Sequence, residues 1–211
     1  MRQIINGDTT AYLYDAANRL TIVEGVRYEY DANGNLRQTG MMTNTFDAAN
    51  RLIETRHDKA TLKPIYNGIG DRVGQTNGLT TTHFALDIFG LPEVIYTSDG
   101  TRYLHLPGII VTENANGERR YLLSDGLGSV RQVVDEHGAV VAYREYDPYG
   151  NPRGNGSQYG FTGEVGLLHL RARWYLPSAG VFVSRDSVDG EPPYQYVRGN
   201  PVISRVGTAF A

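Results

Sequence analysis

Three nine-residue phrases, YLYDAANRL (12–20), YEYDANGNL (28–36) and NTFDAANRL (44–52), follow one another at intervals of sixteen residues. An internal repeat on this scale constrains a fold more tightly than any single motif, because each copy adopts the same local structure and packs against its neighbours. In each phrase an aromatic (Tyr14, Tyr30, Phe46) precedes an aspartate (Asp15, Asp31, Asp47), and three residues after the aspartate stands Asn18, Gly34 or Asn50. Aspartate at the first position of a turn accepts backbone N–H groups, and Asn or Gly three positions on tolerates the left-handed conformation that sends the chain back. The phrase therefore reads as a strand running into a turn. Tyr12 with Tyr14, and Tyr28 with Tyr30, place aromatics at alternate positions on one strand face, so the aromatic face is expected to be the core.

The same turn grammar continues at 67–70 (NGIG), 114–117 (NANG), 125–128 (DGLG), 135–138 (DEHG) and 147–150 (DPYG), and Asp99-Gly100 marks a shorter hairpin. No stretch of a dozen residues keeps a helical apolar period free of Gly or Pro, and β-branched and aromatic residues dominate the apolar runs. With 15 Tyr and 25 Gly spread along the chain, many short strands joined by tight turns are predicted. One such hairpin cannot bury its own apolar face, so the hairpins must stack edge to edge. The stretch NPRGNGSQYG (151–160) reads as a loop, dividing a repeat body, 1–150, from a differently patterned segment, 151–211.

Composition removes several classes of function. At 40% hydrophobic and 20% charged, 211 residues are too apolar for disorder and long enough for a sizeable core. The formal net charge is −3 with basic residues scattered, which leaves no footprint for nucleic acid or an anionic membrane. The absence of cysteine excludes disulfides and thiolate zinc sites but leaves the compartment open. The longest apolar run, around 108–112, is too short to span a bilayer, and MRQIINGDTTAYLYD lacks a signal-peptide core, so a secretion signal is expected outside this chain. No metal or cofactor is expected: His57, His83, His105, His137 and His169 lack ligand spacing, and there is no calcium-loop pattern. SDGLGSV (124–130) has neither a phosphate-loop lysine nor a nucleophile elbow around Ser129 and reads as a turn. Asp15, Asp31, Asp47, Asp125, Asp135 and Asp147 are accounted for as turn formers rather than as calcium or glycosidase carboxylates.

The Tyr-Asp phrases with their turn residues, DGLGSVRQVVDEHGAVVAYREYDPYGN (125–151) and GLLHLRARWYLPSAGVFVSRDS (166–187) together resemble the Rhs or YD-repeat proteins. The likeness covers most of residues 12–201, and its last stretch resembles the segment that closes the repeat region in that family. The family includes bacterial polymorphic toxins, the C components of insecticidal toxin complexes and the animal teneurins. Its members wind a long β-ribbon into a hollow shell, which in the bacterial ones encloses a variable C-terminal toxin. The resemblance thus implies an all-β fold of stacked antiparallel β-hairpins forming a curved ribbon, part of a hollow β-shell. It implies as partners an enclosed C-terminal toxin or further YD repeats, and a secreted or cell-surface location. The chain is shorter than a complete shell of that kind, so a fragment or degraded copy is expected.

In Rhs-type shells the closing segment can act as an aspartyl protease that cuts just downstream and frees the toxin. Two carboxylates sharing one proton are needed, one as base and one as acid. The resemblance places the first on Asp186, in SRDS, and the family's arginine on Arg173. HLRARWY alternates, so one strand is expected to carry His169, Arg171 and Arg173 on one face and Leu170, Ala172 and Trp174 on the other. The family's second aspartate falls five residues beyond Pro201, where Val206 stands here, and Ser187 stands where proline is common. Asp189, three residues from Asp186, is a poor substitute. Proteolysis is therefore expected to be lost, with Asp186 a structural residue bonded to backbone or paired with an arginine. Three readings follow: a passive shell segment, an autoproteolytic site on Asp186 and Arg173, and a module that binds cell-surface glycans or proteins through exposed tyrosines.

Overall fold

The sixteen-residue interval is one hairpin cycle. In the computed structural model, which describes residues 2–5, 8–90, 92–126, 128–153, 166–170, 172–187, 192–197 and 201, the cycle after Tyr14 runs through a turn, the strand Leu20–Val23, a two-residue reversal at Glu24-Gly25 and the strand Val26–Tyr30. The next cycle repeats those lengths through Leu36–Thr39, Gly40-Met41 and Met42–Phe46. In the first turn Asp15 N donates to Arg19 O and Asn18 N to Asp15 O, both at 3.0 Å. Oδ1 of Asp15 accepts the N–H groups of Ala17 and Arg19 at 2.9 Å. The same backbone frame recurs from Asp31, Asp47, Asn67, Asn114, Asp125, Asp135 and Asp147. Its fourth residue is left-handed, with φ of 59° at Asn18, 86° at Gly34 and 61° at Asn50, which is why Asn or Gly stands there. The Asp99-Gly100 signal belongs to this longer frame and not to a shorter hairpin: Thr97 holds the first position, and Asp99 Oδ1 accepts both Thr97 Oγ1 and Thr101 N.

The protein divides into two units, Met1–Pro64 with Thr162–Gly199, and Ile65–Phe161 with Asn200–Ala211. In the first, β1 (Arg2–Ile5), β2 (Asp8–Tyr14), β3 (Leu20–Val23), β4 (Val26–Tyr30), β5 (Leu36–Thr39), β6 (Met42–Phe46), β7 (Leu52–His57) and the start of β8 (Ala60–Tyr66) pair antiparallel, each with the next. The second holds β9 (Arg72–Asn77), β10 (Thr80–Asp87), β11 (Glu93–Thr97), β12 (Arg102–Leu106), β13 (Ile109–Glu113), β14 (Arg119–Ser124), β15 (Val130–Asp135) and β16 (Val140–Tyr143) in the same sequential order, then the small hairpin β17 (Glu145–Tyr146) and β18 (Pro152–Arg153). β19 (Leu168–Leu170), β20 (Arg173–Leu176) and β21 (Val181–Phe182) form a three-stranded sheet in the first unit. The fold class expected from the sequence holds: all-β, built of stacked antiparallel hairpins, with no α-helix among the described residues.

The aromatic face expected to be the core is the core face, but the residues buried completely on it are leucines. Tyr14, Tyr30 and Phe46 lie opposite Leu20, Leu36 and Leu52, each pair following a one-residue register shift. Those three leucines, also sixteen apart, are at most 1% exposed, whereas Tyr12, Tyr28, Tyr30 and Phe46 are half-buried and Tyr14 is 41% exposed. The leucine column is the core and the aromatics form its rim. Leucine has nothing to lose by complete burial, whereas a tyrosine hydroxyl needs a partner or water; Tyr30 departs from that preference, its hydroxyl being buried with no hydrogen-bond partner among the described residues. Each fully buried leucine contributes about 1.5–3 kcal/mol.

The second unit is apolar on both faces of one sheet. The row Leu104, Val111, Tyr121, Val134, Val140 runs through directly opposed partners, as does the row His105, Ile110, Leu122, Val133, Ala142 on the alternate positions. Val133 is buried, but Leu104 and Val140 remain more than half exposed.

Candidate functional site

Of the C-terminal segment expected to carry chemistry, 151–211, the described residues between 166 and 197 pack on the first repeats. Leu167, Trp174, Leu176 and Val183 join Leu36, Met42, Leu52 and Leu62 in one buried cluster, and Val181 and Tyr194 join Leu20 in a second. The sheet is tied to the ribbon through Leu36 N, which donates to Val183 O at 2.6 Å. HLRARWY is not one strand. β19 ends at Leu170 and β20 begins at Arg173, with Leu170 opposite Arg173 and His169 opposite Trp174. The alternation therefore breaks across a hairpin: Arg173 shares a face with Leu170, and His169 instead packs its ring 4.9 Å from that of Trp174. The side chain of Arg171 lies outside the described residues.

Arg173 and Asp186 meet. Nη2 of Arg173 lies 2.6 Å from Asp186 Oδ2, with the two side chains 19% and 18% exposed. Nη1 donates to Pro193 O at 3.2 Å, and the guanidinium carbon stacks 3.7 Å above the centre of the Phe182 ring. Burial pulls the Arg173 pKa down from its ordinary value and the charge of Asp186 opposes that pull. Asp186 N also donates to Pro193 O at 2.9 Å, so one carbonyl serves both residues and ties the strand end to the backbone returning through Tyr194. Removing either partner would strand a largely desolvated charge, at about 3 kcal/mol, the low end for a buried pair because both side chains keep some water. Two-acid catalysis requires a second carboxylate beside the first. Asp189 and the Val206 position lie outside the described residues.

Tyr194 and the turn glycine Gly34 hold the segment in place. The hydroxyl of Tyr194 donates to Gly34 O at 2.8 Å, across 160 residues of sequence. It stands where a side chain on residue 34 would begin. This explains why the turn that carries Asn18 and Asn50 in the flanking repeats carries glycine in the middle one. Tyr194 also packs edge-on to Tyr30, ring centres 5.7 Å apart, and the Arg19 guanidinium lies 5.3 Å from the centre of the Tyr30 ring. Burial pushes the hydroxyls of both tyrosines up, so they stay neutral. Neighbouring turns are linked as well, since Asn50 Oδ1 accepts Nδ2 of Asn33 at 3.1 Å and of Asn35 at 2.9 Å. The exchange of Asn for Gly between otherwise matched phrases is the signal in the sequence that points to this contact.

The teneurin YD-shell family matches this protein over residues 3–189. The tRNA(Glu)-specific nuclease WapA of Bacillus subtilis subsp. natto is 30% identical over 220 residues, covering 90% of the sequence. The tRNA3(Ser)-specific nuclease WapA of Bacillus spizizenii is 28% identical over 219 residues, again 90% of the sequence, and teneurin-1 of Homo sapiens is 29% identical over 154 residues, 67% of it. The 211 residues span only 9% of the length of those WapA proteins and 6% of that teneurin. Among solved structures, the Photorhabdus luminescens Tc holotoxin pore matches over 92% of this protein and 13% of the matched one, with a TM-score of 0.65 and 18% sequence identity. That likeness is one of fold.

Proposed function

The protein belongs to the teneurin YD-shell family of Rhs or YD-repeat proteins, and from that premise we propose that it is a stretch of β-shell wall with its closing segment in place, which in a longer polypeptide encloses and delivers a C-terminal toxin. The observation that carries this reading is the seam in the first unit. Leu167, Trp174, Leu176, Val183 and Tyr194 are buried against the repeat ribbon, so the segment is part of the wall. Arg173 and Asp186 then serve as a structural clamp that fixes β20 to the returning backbone through Pro193 O. The repeat body, 1–150, builds wall, and the segment 151–211 closes it. A wall of this kind works outside the cell that makes it, as a secreted or cell-surface structure, with the toxin or further repeats as its partners.

One observation favours a second reading. The juxtaposition of Arg173 with Asp186 is also what an autoproteolytic aspartyl site would need for its first carboxylate. The two are separated by appending a reporter domain after Ala211 and measuring intact mass, with Asp186→Asn alongside. A single uncut mass in both supports the wall. A cut near residue 207 in the parent that disappears in Asp186→Asn establishes proteolysis instead.

A further inference from the structure

Four described Asn-Gly pairs, 33–34, 67–68, 77–78 and 116–117, share the dipeptide most open to self-modification. Glycine leaves the backbone nitrogen unhindered, so that nitrogen can attack the carbonyl carbon of the asparagine amide. A new bond forms between that carbon and the glycine nitrogen, the bond from the carbon to Nδ2 breaks, the backbone N–H proton leaves with the amide as ammonia, and water then opens the succinimide to Asp or isoAsp. Because the dipeptide is the same in all four, the fold sets the order.

Three of the pairs are locked. The attacking nitrogen of Gly34 donates to Asp31 O at 3.1 Å and that of Gly117 to Asn114 O at 3.0 Å. Asn67 is held through its side chain, since Oδ1 accepts Ile69 N at 3.1 Å and Asp71 N at 2.9 Å while Nδ2 donates to Asp71 Oδ2 at 3.1 Å. Asn77 and Gly78 differ. They sit where β9 turns into β10, with Asn77 opposite Thr80, Gly78 at φ 56° and Leu79 fully exposed beside it. This is the two-residue reversal with glycine at its first central position, in which the Gly78 N–H makes no turn bond. Neither that N–H nor the side-chain amide of Asn77 bonds to another described residue.

We propose that Asn77 is the preferred deamidation site among these four pairs, converting through a succinimide with Gly78 to Asp or isoAsp. IsoAsp lengthens the backbone by one methylene at the end of β9 and so disturbs the register of the β9–β10 hairpin. The test is to hold the full-length protein at mildly alkaline pH and follow each Asn-Gly peptide by mass spectrometry and isoaspartate-specific methylation, natively and in denaturant. The native protein should convert at Asn77 well ahead of positions 33, 67 and 116, with the four rates converging on unfolding, and Asn77→Gln should remove the dominant product. Equal or faster native conversion at any of the other three overturns the proposal. So does an order that survives unfolding, because the cause would then lie in local sequence and not in the fold.

Discussion

At the scale of single residues, the contact between Gly34 and Tyr194 leaves no room for a side chain at position 34 unless the tyrosine moves. Asparagine accepts the left-handed backbone, as residues 18 and 50 show, so Gly34→Asn tests sterics and not conformation. Its new Cβ displaces the Tyr194 hydroxyl, and a loss of about 1–3 kcal/mol is expected from urea midpoints. Tyr194→Phe alone should cost about 0.5–1.5 kcal/mol for the lost bond to Gly34 O. The next tyrosine atom is an ordinary 3.7 Å from that Cβ, so the double variant should lose less than the sum of the singles. Strict additivity would mean that the hydroxyl does not set the residue at 34. The turn aspartates make a second prediction. Burial works to raise the carboxyls of Asp15 and Asp47, but backbone N–H donors and the guanidinium of Arg19 or Arg51 together outweigh it and hold both below their usual value. A depressed folded pKa gives stability that is fully present above the unfolded value of about 3.9 and lost as pH falls through the folded value. Urea midpoints should therefore fall as pH drops below about 4, and the Asp15→Asn, Asp47→Asn double variant should flatten that fall.

At the scale of elements, the repeat works because a five-residue turn frame at one end of each hairpin and a two-residue reversal at the other return the backbone to the same register every sixteen residues. That delivers Leu20, Leu36 and Leu52 to one column, on which the sheet of β19, β20 and β21 sits. Trp174→Ala should cost about 3–5 kcal/mol and open the closing segment first. Limited proteolysis would show early cuts within 166–197, and unchanged resistance there would mean that the segment is not held by this core. Much of this is legible in the sequence, since Asp15, Asp31 and Asp47 with their partners three residues on carry their own local chemistry. What is not legible depends on contacts distant in sequence. The hairpin inside HLRARWY is hidden because a strand and a two-residue reversal share the same alternation, and the aromatics mislead because period two marks a face without saying which residue on it is covered. The pairing of Arg173 with Asp186 follows from family likeness, and only the fold shows Pro193 O and Phe182 completing the clamp.

At the scale of the whole molecule, the repeat extends a sheet by adding hairpins, and each addition pairs one edge, exposes a new one and enlarges the faces to be covered. The first unit covers its leucine column with its own closing segment. The sheet of β12 to β16 carries apolar rows on both of its faces, and only one of those rows holds a buried residue, Val133. A single layer that is apolar on both sides is suited to lie between other layers, as in a longer wall. Taken alone in solution, the 211-residue protein should therefore associate. Sedimentation velocity should show a mass that rises with concentration, and Leu104→Lys with Val140→Lys should shift it towards the monomer, since these two exposed residues end one apolar row and lysine there adds repulsion without touching a buried site. A sharp monomer at high concentration in the parent would sink the argument. Association that the lysines leave unchanged would move the cause from this face to the unpaired strand edges.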